Sequence, residues 1–308
     1  MIQKETFTFT SPADGTKLYA VRYRPETPVA ILQIAHGMCE YIERYEDFAR
    51  YLAANGYLVV GNDPRGHGNS AQPENYGYFA EKDGNDALLA DLHELNRLTR
   101  EQYPDLPVFL LGHSMGSFYA RQYLYTYREP LAGAIVMGTG HQPRALVRAG
   151  KLLTKLGKAI FGDHYRWKLV NNMAFGSYNK AFAPGRTPYD WLTKDEAIVD
   201  AYMAEPRCTF MFTLNGYYNM FTGIDRLHDK ARLAQMPKDL PVLFVAGDRD
   251  PVGDFGKGVQ AAAESFRQAG ISEVTVKLYE DDRHEILNET DREIVYADIL
   301  NWLEAHRP

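Results

Sequence analysis

A chain of 308 residues is long for one compact unit and suggests a core domain carrying an insertion. Its 45% apolar and 24% charged content is that of an ordinary globular protein, and a net charge of −6 argues against a nucleic-acid partner, which needs a clustered basic face. No apolar run reaches the length of a spanning helix and Met1–Thr6 has no signal-peptide core, so the cytoplasm is the expected compartment. Cys39 and Cys208 fit neither a metal-site spacing nor a disulfide scaffold.

Thr6–Thr10 and Leu18–Tyr23 alternate in polarity around Asp14-Gly15, which predicts an opening hairpin. The apolar run Pro28–Ala35 predicts a buried strand that leads into His36-Gly37-Met38-Cys39-Glu40. A helix follows, with Tyr45, Phe48, Ala49 and Leu52 on one face, and Asn55-Gly56 ends it. Tyr57–Val60 begins another strand. Asp86–Tyr103 reads as an amphipathic helix with leucines at 88, 89, 92, 95 and 98. Next come a strand ending at Leu111, a helix from Ser117, and the strand Leu131–Gly138. The alternation resumes with Pro241–Gly247, a helix around Gly258–Ala269, the strand Val274–Tyr279 and a helix over Arg292–Ala305. This rhythm implies a mainly parallel sheet covered on both faces, with ligands meeting the carboxyl ends of its strands. From His141 to about Lys238 the rhythm is broken by an aromatic-rich stretch that reads as a mostly helical cap.

The chemistry begins at Gly112-His113-Ser114-Met115-Gly116. This pattern, between a strand and a helix, is the turn that presents a nucleophilic serine. Gly112 and Gly116 leave the room that a sharp turn requires. A serine needs a base and a group to orient that base, and in this sheet type they follow in the order acid, then histidine. Gly247-Asp248-Arg249-Asp250 offers the acid twice. The spacing favours Asp250, with Asp248 as the alternative, a turn residue capping its own backbone. His284, after the last strand, stands where the base is required. The backbone N–H groups of Met38 and Met115 are the expected oxyanion donors. His36 and Gly37 are expected to shape the loop that carries the first of these, and His113 to act as a turn donor beside the nucleophile.

Together with Asp63-Pro64-Arg65-Gly66-His67-Gly68-Asn69-Ser70 and Arg283-His284-Glu285, these motifs resemble the monoacylglycerol lipase/lysophospholipase branch of the α/β-hydrolases, within the serine aminopeptidase family. The resemblance implies an α/β-hydrolase fold: a mostly parallel eight-stranded sheet flanked by helices (1–140 and 239–308) with an inserted helical cap (141–238). It also implies Ser114 as nucleophile, Asp250 as acid, His284 as base, an acyl ester as substrate, and no cofactor or metal. The family pattern is broken at two places. Cys39 replaces the second glycine of the His-Gly-x-Gly-Glu-His loop, where Tyr41 replaces the last histidine, and Ser117 stands where a further glycine often follows Gly116.

Residues 141–162 carry Arg144, Arg148, Lys151, Lys155 and Lys158 and no acid, with Leu152, Leu156 and Ile160 on one helical face. Such a segment can dock transiently on an anionic membrane surface. The preferred expectation is a helix whose apolar side covers the active site while its lysines face water. An aminopeptidase or amidase is the rival enzyme reading. It would need acids for the substrate's amino group, and Glu196, Asp200 and Glu205 are the candidates. A non-catalytic hydrolase-like binding protein is the rival from another class.

Overall fold

The computed structural model describes residues 1–308. The chain opens with β1 (Gln3–Thr10) and β2 (Lys17–Arg24), paired antiparallel across the Asp14-Gly15 turn. It then alternates through β3 (Ala30–Ala35), α1 (Glu46–Ala54), β4 (Tyr57–Asn62), α2 (Gly84–Gln102), β5 (Val108–His113), α3 (Met115–Thr126) and β6 (Gly133–Met137). Five helices follow: α4 (Arg144–Phe161), α5 (Lys168–Phe175), α6 (Glu196–Ala204), α7 (Leu214–Arg226) and the short α8 (Lys230–Leu233). Alternation returns with β7 (Val242–Gly247), α9 (Lys257–Gln268), β8 (Val274–Tyr279) and α10 (Arg292–Ala305). No helix is long and apolar enough to cross a membrane.

All eight strands form one sheet in the order β1-β2-β4-β3-β5-β6-β7-β8, parallel from β4 onward. Strands β3 to β7 are buried on both sides, whereas the edge strand β8 exposes Thr275 and Lys277, and the buried side chains divide by the two-residue period of a strand. In β6, Ile135 and Met137 join the core under α1 and α10, while Ala134 and Val136 join the core under α3 and α9. Strands β5 and β7 split in the same way. The chain order reverses at β3, which has β4 on one side and β5 on the other, and this opens a crevice beyond the carboxyl ends of the strands.

Helix α3 starts at Met115, two residues before the helix expected from Ser117, because Ser114 itself occupies the N-cap position. A second difference concerns α4, whose Leu152, Leu156 and Ile160 do not cover the site. They are 58, 54 and 72% exposed. The helix instead packs through Val147, Gly150, Thr154 and Gly157. Small residues there let its backbone lie against large rings: a Cβ added at Gly150 would meet Phe221 at 3.1 Å, and one at Gly157 would meet Trp167 at 3.0 Å. Close packing on that side turns the leucine stripe outward.

Candidate active site

Ser114 sits between β5 and α3 with φ +53° and ψ −119°, a conformation that costs a non-glycine residue about 1–3 kcal/mol. Packing enforces it. A side chain at Gly116 would collide with the carbonyl of Ala35, and one at Gly112 with the carbonyl of Gly116. The first turn of α3 lies directly behind the serine, so the Met115 N–H has no acceptor within the helix. The Met38 N–H, in the loop after β3, likewise meets no backbone acceptor.

That loop is held from below. The Gly37 N–H donates to Glu40 Oε1 at 2.5 Å, and His36 Nδ1–H donates to the Gly37 carbonyl at 2.8 Å. Glu40 also accepts from the Tyr45 hydroxyl at 3.0 Å and lies 3.2 Å from His113 Nδ1. Burial alone would raise the Glu40 carboxyl, but the hydrogen bond from His113 and the charge of Arg44 outweigh it and hold the carboxyl well below its usual range. Glycine is required at position 37 because a Cβ there would come within 2.6 Å of Glu40 and 3.0 Å of the Ser114 side chain.

Asp250 follows β7 and His284 follows β8, and the structure brings them together. His284 Nδ1–H donates to Asp250 Oδ2 at 3.0 Å, while Asp250 Oδ1 accepts the Val252 N–H at 2.8 Å. Both residues are buried. Asp248 lies apart and caps the Asp281 N–H at 2.9 Å. Burial would lower the His284 pKa, yet the charge and hydrogen bond of Asp250 raise it overall. His113 Nε2 lies 3.3 Å from the His284 carbonyl, and the Trp191 ring lies 5.1 Å from the imidazole. With Nδ1 engaged, Nε2 is the nitrogen left for a substrate-side proton. No hydrogen bond joins it to Ser114 Oγ here, although both residues line one cavity.

The cavity measures about 770 Å³. Its apolar walls come from α4 (Val147, Leu153), α5 (Val170, Ala174) and α7 (Met220, Phe221). Cys39 and Cys208, both free thiols, lie on another wall. Of the acids considered for an amino-group pocket, Glu196 and Asp200 reach out to Arg186 and Glu205 to Arg207, and none lines the cavity.

Sequence reasoning assigned no role to Arg44, Thr139 or the carboxylates of Glu40 and Glu285, which frame the site. The one local signal was the Glu40/Arg44 pair at helical spacing, an ion pair of 3.1 Å in the structure.

A family model described as serine aminopeptidase, S33, matches residues 26–291. Monoacylglycerol lipase from Mycolicibacterium smegmatis is 26% identical over 302 residues, covering 95% of this chain and 94% of that protein. Human monoglyceride lipase is 27% identical over 304 residues, covering 94% of this chain and 88% of that protein. Among solved structures, a thermostable carboxyl esterase from Bacillus coagulans in complex with glycerol superimposes with a TM-score of 0.89 at 30% identity, over 99% of both chains. With this sheet, this serine turn and these relatives, the chain is a serine hydrolase of the α/β-hydrolase fold and belongs to the serine aminopeptidase S33 family, alongside the monoglyceride lipases.

Proposed function

We propose that the enzyme hydrolyses carboxylic esters of single acyl chains, of the monoacylglycerol or lysophospholipid kind, through an acyl-enzyme on Ser114. His284 Nε2 takes the Ser114 proton as Oγ attacks the ester carbonyl. Asp250 holds the imidazole in the tautomer that leaves Nε2 free and stabilises the imidazolium. The N–H groups of Met38 and Met115 receive the oxyanion, a contribution of about 10²–10³ in rate for each such donor. Collapse expels the alcohol, protonated by His284. Water, deprotonated by the same imidazole, then releases the fatty acid. Residues 141–238 form the cap that walls the acyl chain from water.

The observation that carries this reading is an apolar cavity opening onto Ser114 whose buried carboxylates already have partners. Glu40 and Glu285 both pair with Arg44, and Asp254 at the margin is solvent-exposed. A substrate α-amino group therefore finds no unpaired buried acid, whereas an acyl chain finds apolar walls. Relatives named for monoglycerides and an esterase structure holding glycerol support the same substrate class. The outward stripe of α4 adds a place for the cap to rest on an anionic lipid surface: exposed Leu152, Leu156 and Ile160 run beside Lys151 and Lys155.

The test is a panel of p-nitrophenyl esters, monoacylglycerols and aminoacyl anilides with wild type and Ser114→Ala, together with fluorophosphonate labelling. Ester turnover that vanishes in Ser114→Ala, with the label on Ser114, supports the reading. Turnover of aminoacyl anilides without ester turnover overturns it.

A further inference from the structure

Behind the nucleophile lies a buried polar chain that the reaction scheme does not use. Ser117 Oγ lies 2.5 Å from the carbonyl oxygen of Ser114 and 2.8 Å from Thr139 Oγ1. Arg121 Nη1, one turn further along α3, lies 3.2 Å from Thr139 Oγ1 and 3.0 Å from the Gly140 carbonyl. Ser117 and Thr139 are fully buried, and Arg121 is 1% exposed.

The direction of every proton in this chain is determined. A carbonyl oxygen only accepts, so the Ser117 hydroxyl must donate to Ser114 O. Ser117 can then only accept from Thr139, whose hydroxyl donates to it. A guanidinium only donates, so Arg121 supplies the far end. Burial brings the Arg121 pKa down to about 10, and the group keeps its charge at neutral pH. No carboxylate pairs with it, and its Nε and Nη2 have no hydrogen-bond partner. Apart from the two acceptors of Nη1 and the Phe266 ring, 5.9 Å away, nothing in the interior offsets this charge, and a buried cation without a carboxylate is costly.

The acceptor at the near end suggests a role for it. The Ser114 carbonyl and the Met115 N–H belong to the same peptide group. Drawing electron density toward that carbonyl oxygen makes the attached N–H a stronger donor, and hydrogen bonds in series polarise one another in this way. We propose that Arg121, Thr139 and Ser117 form a polarising relay that strengthens the Met115 N–H as an oxyanion donor, with Ser117 as its essential link. These are positioning residues: none touches the substrate. The inference rests on the proposed role of Ser114 and the Met115 amide. It also gives a function to a serine that replaces the glycine of related turns.

Ser117→Ala and Thr139→Val remove a hydroxyl at nearly constant volume, and Ser117→Thr restores one. Kinetics on a soluble p-nitrophenyl ester, affinity for an alkyl trifluoromethyl ketone (which forms the oxyanion on Ser114) and thermal melting would be measured for each. A donor worth about 10²–10³ in rate that loses roughly 30% of its strength when the series is broken corresponds to a fall of about four- to eightfold in kcat. The ketone should weaken by the same factor in Ser117→Ala and Thr139→Val, with KM unmoved, a Tm change that does not track the loss, and Ser117→Thr close to wild type. The double variant should lose little more than either single one, as links in one chain must. The relay is overturned if kcat and ketone affinity stay within twofold of wild type, or if their loss follows Tm and KM and is not restored by Ser117→Thr. Ser114→Ala separates the two failures: if it is inactive while Ser117→Ala runs at full rate, only the relay fails, and if it stays active, the reading of the site fails.

Discussion

Arg44 grips the Glu285 carboxylate through two hydrogen bonds of 2.7 Å each, joining the turn after β3 to the residue next to His284. The same guanidinium reaches Glu40 at 3.1 Å and lies 5.0 Å from the Tyr202 ring of α6. One largely enclosed cation thus fastens the loop of the Met38 amide, the loop of the imidazole and helix α6. The loops at the carboxyl ends of β3 and β8, which are not neighbours in the sheet, are joined by this contact.

Removing that cation leaves two buried carboxylates uncompensated. Arg44→Met is expected to lose about 3–5 kcal/mol in urea denaturation. Adding Glu285→Gln should return part of the loss, because it deletes one of the stranded charges. A single-variant loss below about 1 kcal/mol would show that the ion pair is incidental.

The Asp250–His284 hydrogen bond makes a prediction about pH. The imidazole must be neutral to accept a proton, so activity should fall as pH drops through its pKa, which Asp250 raises against the opposing effect of burial. Asp250→Asn removes the raising influence. The acid limb of kcat/KM should therefore move to lower pH while kcat drops by roughly 10⁴. In stability the sign is opposite. The protonated pair favours the folded state, and that gain is present below the ordinary histidine value and lost as pH rises through the raised one. A pH–rate profile with an unmoved acid limb would remove His284 as the titrating base.

Cys39 adopts φ +55° in the loop after β3. The left-handed region suits glycine and penalises a β-branched side chain most. Cys39→Gly should relieve strain of about 1 kcal/mol, offset by the loss of a buried thiol that donates to the Phe210 carbonyl at 3.2 Å. The expected order of melting temperature is Gly at or near wild type, with Cys39→Val lower by at least about 2 kcal/mol in the underlying stability. Equal stability of the valine and glycine variants would contradict the assigned backbone conformation.

The exposed stripe of α4 separates surface from chemistry. Replacing Leu152, Leu156 and Ile160 with glutamine should leave stability within about 0.5 kcal/mol and soluble-ester kinetics unchanged, since none of the three is buried. Sedimentation with vesicles containing phosphatidylglycerol should fall, and wild-type binding should weaken as salt is raised. Retained vesicle binding in the triple variant would rule out this face as the contact.

Much of this architecture was legible along the chain, because its determinants are local. Strand and helix periods, the Asp14-Gly15 hairpin and the Gly112–Gly116 turn each depend on neighbouring residues meeting one backbone geometry. The Ser114, Asp250 and His284 assignments followed from the order of the loops at the strand ends. What the tertiary structure decided are contacts between loops far apart in sequence. It put Asp250 rather than Asp248 against His284, a choice made by how the turn after β7 packs on the turn after β8. It joined Arg44 to Glu285 and Arg121 to Thr139, polar groups whose partners are set only when separate strands align. It also turned the leucines of α4 outward. Periodicity shows that a helix has an apolar face, but which face is buried depends on what the neighbouring elements offer, and here Phe221 and Trp167 accept the side made of glycine and threonine.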